Sequence, residues 1–449
     1  MRGEACEAKQ RGVKSAVRGA ERPAGSSCAT IHGVTRKARE DWCGTHLFYF
    51  VLPRRRASHP THVYRTCGGG SYAPPMRLQT KRLRTLRVLA LLCVALALLC
   101  VGLRGRRSER STSVTPSGER LYGVHDPSSL VRDGGHWHVL ATGGWGSPAW
   151  SGEPGLRRYR SRDLHHWERL LPNALSSVDA ALWAPEVVPS RSGAQHLVYY
   201  SVSSWGSPRS CIRLAVVPAG RFGDVDEWRE VGEVLCSDGS QGYNAIDPAV
   251  VRHGRELWLA FGSGWQGVML TALDAESGLV PLHIATLAPV LNAWGWLNAT
   301  VPVIALARAQ TPEKQRQVET GGDAMVEAPY VLSRGAWWYL FVNWGWCCKR
   351  DSSYSVRYGR SVDVFGPYMD REGGRMDQGR GSLLLNVSAR DGRALGPGHV
   401  SVRLMEGQWL VSFAAYDRDA PQGADAAGAR LQVRRLRWTR DDWPVVDDW

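Results

Sequence analysis

HDPSSLVRDGGHWHVLATGG, residues 125–144, returns four more times along the chain in altered form. The variants are APEVVPSRSGAQHLVYYSVSSW (Ala184–Trp205), IDPAVVRHGRELWLAFGSGW (Ile246–Trp265), EAPYVLSRGAWWYLFVNWGW (Glu327–Trp346) and GHVSVRLMEGQWLVSFAAYD (Gly398–Asp417). Each runs in one order: a polar motif, a short β-branched run, a glycine-centred turn, then an alternating aromatic strand. That order is a hairpin signal. With Pro127, Pro185, Pro248, Pro329 and His399 as markers, the steps are 58, 63, 81 and 70 residues. No long stretch carries a helical period. Small antiparallel sheets recurring about every 60–70 residues predict an all-β fold, a five-bladed β-propeller. A two-sheet sandwich could use the same strands but gives no reason for the recurrence. The long third step contains VPVIALARAQTPEKQRQVETGGD (residues 301–323), whose polar second half reads as an inserted loop.

Outside the repeats the chain changes character. It has 449 residues, 56 Lys and Arg against 42 Asp and Glu, and a formal charge of +14. Of these, 18 basic and 5 acidic residues lie between Met1 and Arg87, whereas residues 111–449 carry 34 basic and 36 acidic. Tryptophan divides the other way, with 19 of 20 between Trp137 and Trp449. A near-neutral, Trp-rich domain is no basic groove, so nucleic acid is not an expected partner. Residues 1–75 form a basic leader or upstream extension with no apolar period, expected to lack a packed core. Residues 76–103 join a basic flank to the uncharged run VLALLCVALALLCVGL (Val88–Leu103). A positive flank before an apolar run reads as a signal or signal-anchor, so a secreted or type II membrane protein is expected, with residues 88–103 as the membrane contact. Residues 104–119 are a linker, and 120–449 the propeller domain.

Six of the ten Cys lie at or before Cys100, leaving Cys211, Cys236, Cys347 and Cys348 for the domain. Cys211 and Cys236 are candidates to pair in an oxidising compartment. Adjacent Cys347 and Cys348 lack zinc-site spacing. Asn298 and Asn386 begin glycosylation triplets.

In a propeller the first strand of each blade lines the axis. Asp126, Glu186, Asp247, Glu327 and His399 are therefore expected to converge near one end of it. Crowded carboxyl groups raise one another's pKa. A protonated acid beside an ionised one is what glycoside hydrolysis requires: one group donates to the leaving oxygen and the other activates water. Trp145, Trp205, Trp265 and Trp344 are candidate sugar-stacking faces, with blade packing as the alternative. Trp137, Trp258 and Trp409 share one repeat position and are expected to pack within blades.

These motifs make the chain recognisable. From about Tyr122 to Trp443 it resembles glycoside hydrolase family 43, most closely the endo-1,5-α-L-arabinanases. The resemblance rests on HDPS (His125–Ser128), WAPE (Trp183–Glu186), NAIDP (Asn244–Pro248) and EAPY (Glu327–Tyr330). It continues through CCKRDSSYSVRYGRS (Cys347–Ser361), GPYMD (Gly366–Asp370), GPGH (Gly396–His399) and AAYDRDA (Ala414–Ala420). What it implies is hydrolysis of internal α-1,5-L-arabinofuranosidic bonds of arabinan with inversion. Asp126 would be the general base, Glu327 the general acid, and Asp247 the residue that orients that acid and tunes its pKa. Trp183, Glu186, Asn244 and Trp265 would bind substrate. His399 matches a histidine associated with a metal ion, commonly calcium, and since calcium prefers oxygen, water is expected between them. Glu186 stands where relatives often have Asp, which puts its substrate contact in doubt. The alternatives are an exo-acting arabinofuranosidase or β-xylosidase of the same fold, and a propeller that binds carbohydrate without catalysis.

Overall fold

The computed structural model describes residues 121–144, 153–176, 180–205, 207, 209–281, 303–308, 325–349, 351–387, 392–422 and 424–447. Among them, twenty strands form five four-stranded antiparallel sheets, each built from consecutive strands. The first blade is β1 (Val131–Asp133), β2 (His136–Ala141), β3 (Leu156–Ser161) and β4 (Trp167–Ala174). The second is β5 (Ala181–Pro189), β6 (Gln195–Ser203), β7 (Ser210–Pro218) and β8 (Arg229–Ser237). The third is β9 (Ala249–His253), β10 (Glu256–Phe261), β11 (Val268–Leu273) and β12 (Ile304–Ala307). The fourth is β13 (Val326–Arg334), β14 (Trp337–Trp344), β15 (Ser355–Ser361) and β16 (Ser382–Leu385). The fifth is β17 (Ala394–Met405), β18 (Gln408–Asp417), β19 (Ala429–Trp438) and β20 (Pro444–Val446). The five quoted repeats are the first hairpins of the five blades. This is the five-bladed β-propeller that the repeat spacing predicts.

The hairpin turns explain their glycines. Gly135, Gly254, Gly335 and Gly407 have φ of +81°, +59°, +61° and +78°. An added Cβ would meet nothing within 4 Å at any of them. The requirement is therefore the backbone conformation, which reverses two right-twisted strands in two residues.

Successive blades pack face to face, and each interface has its own apolar cluster. Leu140 and Val131 meet Val187, Val198 and Tyr200 between blades one and two. Leu197, Tyr199 and Leu214 meet Leu257, Leu259 and Phe261 between two and three. Ala260 and Leu270 meet Val331, Leu340 and Val342 between three and four, and Phe341 and Tyr358 meet Val402, Val411 and Phe413 between four and five. The ring closes where Leu121, Val124, Leu130 and Trp167 pack on Leu431 and Val433. Gly123 and Val124 donate their N–H groups to Ala429 O at 3.0 and 3.3 Å across that seam. Every strand thus buries a face against a neighbour, and each fully buried Leu, Val or Phe contributes about 1.5–3 kcal/mol.

Several expectations resolve here. Cys211 and Cys236 are paired across β7 and β8 and form a disulfide. Trp137, Trp258 and Trp409 are half-buried: they pack beside Arg132, Phe365 and Trp438 and do not line the cleft described below. In the apolar first half of residues 301–323, Ile304–Ala307 is the outer strand β12 and completes the blade. Asn386 is exposed. The leader, the run Val88–Leu103, Trp145, Asn298 and residues 309–324 lie outside the described residues. Among those described, no helix is long and apolar enough to cross a membrane.

Candidate active site

A single backbone device recurs at the head of each first hairpin. Asp126, Ala184, Asp247, Ala328 and His399 have φ of +47°, +46°, +55°, +49° and +56°. They occupy the same place in the five repeats, directly before Pro127, Pro185, Pro248, Pro329 and Val400. Left-handed geometry in a residue with a Cβ is held only when the surroundings over-determine it. Here the preceding blade supplies the restraint. Ala184 N donates to Thr142 Oγ1 at 2.9 Å, Asp247 N to Ser201 Oγ at 3.0 Å, Ala328 N to Asp247 Oδ2 at 3.1 Å, and His399 N to Asn343 Oδ1 at 2.9 Å. In three blades the kinked position carries the ionisable side chain itself. In the fourth, Glu327 sits one residue earlier.

Asp126, Asp247 and Glu327 line one cleft of about 640 Å³. Asp126 Oδ2 accepts from Thr142 Oγ1 at 2.6 Å and lies 2.8 Å from His125 Nδ1, while Oδ1 is 3.6 Å from His399 Nδ1. Burial would raise its pKa, but His125, His399 and Thr142 outweigh that and hold it down at about 2. Asp126 is therefore an ionised carboxylate. Glu327 Oε2 accepts from Ser263 Oγ at 2.5 Å and Oε1 from the Tyr354 hydroxyl. Burial, and the negative charge of Asp126, push its pKa up despite those donors. Asp247 is raised well above the ordinary carboxylate range by burial, then by Glu327 and Asp126. The charge of each such carboxyl opposes ionisation of its neighbour, as Glu327 does at Asp247. One ionised acid thus shares a cleft with two carboxyls whose pKa values are raised.

Sequence reasoning missed the groups that tune these acids. Thr142, Ser263 and Tyr354 are distant in sequence from the carboxyls they contact, and none belongs to an acid motif. Tyr354 lies in the quoted Cys347–Ser361 stretch, which hints at it. Gly398 is required beside it: a Cβ there would sit 2.3 Å from Tyr354 Cε1 and 2.6 Å from Asn343 Nδ2.

Of the predicted substrate contacts, Trp183, Asn244 and Trp265 line the cleft. Trp205 and Trp346 flank it edge to face, with centroids 6.1 Å apart. Trp344 instead packs under Arg357. Glu186 is a correction to the expected convergence, because it does not line the cleft. Its place two residues beyond the kink, on β5, turns its carboxylate to Ser129, whose N and Oγ donate at 3.1 and 2.8 Å. Burial there raises its pKa to about 7. The fold thus favours protonated Glu186. Its contribution is complete below the ordinary glutamate pKa and is lost as pH rises towards 7, at about 1.4 kcal/mol per pH unit. Urea unfolding of Glu186→Gln is expected to lack about 3 kcal/mol of destabilisation that the wild type undergoes between pH 4.5 and 7. Parallel pH profiles would refute this.

The donor set around His399 was expected to serve calcium. Among the described residues, clusters of three or more His, Cys, Asp or Glu donors are His125–Cys347–Cys348 and Cys211–Glu233–Cys236, and neither includes His399. Calcium takes about six to eight oxygen ligands. One imidazole nitrogen beside one carboxylate oxygen would leave most of that shell to water. Cys347 and Cys348 are bonded to each other in the cleft wall, so their sulfurs are not thiolate ligands.

The sequence profile of glycosyl hydrolases family 43 matches residues 121–444. An extracellular exo-α-(1→5)-L-arabinofuranosidase of Cellvibrio japonicus is 31% identical over 373 residues, covering 79% of this chain and 91% of its own. An extracellular endo-α-(1→5)-L-arabinanase of Bacillus subtilis is 30% identical over 351 residues, covering 74% and 92%. Among solved structures, a Cellvibrio cellulosa α-L-arabinanase complexed with arabinohexaose matches with a TM-score of 0.57 and 29% identity, over 72% of this chain and 95% of that one.

Proposed function

The chain belongs to glycosyl hydrolase family 43, and from that premise we propose that it hydrolyses internal α-1,5-L-arabinofuranosidic bonds of arabinan with inversion. The observation that carries the reading is the contrast between Asp126, held ionised at about 2, and the raised Glu327, both on one cleft. Asp126 takes a proton from water as the water oxygen bonds to the anomeric carbon. Glu327 gives its proton to the glycosidic oxygen as the bond from that carbon breaks. Asp247 accepts from the Ala328 amide beside Glu327, and negative charge at Asp247 would disfavour ionisation of Glu327. Trp183, Asn244 and Trp265, with Trp205 at 62% exposure, form the faces and edges on which sugar rings rest.

The Bacillus and Cellvibrio relatives pair endo and exo action on the same linkage, so an exo-acting enzyme is the second reading. The full chain acting on linear arabinan is expected to lower viscosity early and release mixed oligosaccharides. Release of one short product from the first minutes would assign exo action, and no turnover on arabinan would remove the proposal. The extracellular relatives and the two disulfides support export. We assign the export signal to Val88–Leu103, as a cleaved signal or an uncleaved anchor, and N-terminal sequencing of the native protein decides between them.

A further inference from the structure

Two hydrogen bonds and a close ion-pair contact run from the cleft wall to the proposed base. Cys348 N donates to the Tyr416 hydroxyl at 2.7 Å, that hydroxyl lies 2.6 Å from His125 Nε2, and His125 Nδ1 lies 2.8 Å from Asp126 Oδ2. Tyr416 and His125 are buried, and Asp126 keeps 15% of its side chain exposed. A backbone amide can only donate, so the tyrosine oxygen accepts at that end. Its own proton has His125 Nε2 as the facing acceptor, and burial keeps the phenol neutral. At the other end an ionised carboxylate 2.8 Å from a ring nitrogen requires a proton on that nitrogen. The two ends agree on one arrangement: an imidazole that donates from Nδ1 and accepts at Nε2.

We infer that Tyr416 and His125 are positioning residues that fix this tautomer, tie down Asp126 Oδ2 and leave Oδ1 as the oxygen that receives the proton of the attacking water. Oδ2 already accepts from both His125 and Thr142, whereas Oδ1 faces His399 at 3.6 Å. Cys348 reaches Tyr416 from a left-handed residue, φ +68°, closed by its disulfide to Cys347. The charged and titratable groups around Asp126 are His125, His399, Asp247, Glu327, Tyr354 and Tyr416. Of these, His125 makes the closest contact described, and it is the one with a relay behind it. The inference rests on Asp126 as base.

Two measurements on the full chain test it. An Asn side chain places its N–H near Nδ1 and a Gln places its own near Nε2. His125→Asn is therefore expected to keep about 10-fold more kcat on arabinan than His125→Gln or His125→Ala, and Tyr416→Phe to lose about 10-fold in kcat with little change in KM. Equal losses in the three His125 variants would overturn the relay. ¹⁵N spectra of histidine-labelled protein, with His125 assigned by its disappearance in His125→Asn, are expected to show protonated Nδ1 and bare Nε2. An Nε2-protonated ring or an imidazolium at neutral pH would overturn it even if every variant is inactive. Turnover by Asp126→Asn would instead remove the base assignment, a separate failure.

Discussion

Glu327→Gln is expected to lower kcat on linear arabinan by about 10²–10⁴-fold, the usual contribution of a positioned acid. The amide is close to isosteric, and Ser263 Oγ and the Tyr354 hydroxyl can still bond to it. What it lacks is a transferable proton. The loss should therefore depend on the leaving group. An aryl arabino-oligoside, whose phenolate departs without protonation, should be cleaved within about 10-fold of wild type, because the acid's contribution scales with the need for that proton. The alkaline fall in activity, set in the wild type by deprotonation of the Asp247–Glu327 pair, should also disappear. Initial rates on both substrates from pH 5 to 9 check this. An equal loss on the two substrates would show that Glu327 is not the acid.

Asp126→Asn should behave differently. Water must be activated whatever the leaving group, so the loss of about 10²–10⁴-fold should appear on arabinan and on the aryl glycoside alike. Calorimetric binding of an arabino-oligosaccharide should stay within a few-fold of wild type, since only the transition state draws on the carboxylate. The Asn amide can still accept from Thr142 and His125 through its oxygen, so the site need not collapse. Weak binding with normal turnover would contradict the assignment.

The repeats made the blades legible because Pro127, Pro185, Pro248 and Pro329 mark one place in a hairpin whose turn glycine and aromatic strand follow at short range. The acids were legible for the same reason, as they sit one or two residues before the marker. Glu186 was misplaced by that logic. Its motif looks equivalent, but it follows the kink rather than forming it, so it points to Ser129 instead of the cleft. The roles of Thr142, Ser263, Tyr354 and Tyr416 were not legible, although Tyr354 and Tyr416 fall within quoted motifs. Ser263 and Tyr416 reach their partners from a neighbouring blade, Thr142 and Tyr354 from another part of the same blade, and a single sequence carries no sign of which hydroxyl meets which partner. The disulfide between Cys347 and Cys348 and the position of Trp346 at the cleft were hidden in the same way.

The five left-handed residues around the axis set heat tolerance against chemistry. Each such residue other than glycine costs roughly 1–2 kcal/mol, and Asp126, Asp247 and His399 accept that cost while projecting an ionisable group. A breeding scheme that rewarded survival at high temperature alone would drift these three positions towards glycine or asparagine and deliver a tougher, inert protein. Ala184 and Ala328 carry the same kink with only a methyl group, so they are where an engineer can harvest robustness without erasing the acid or the base.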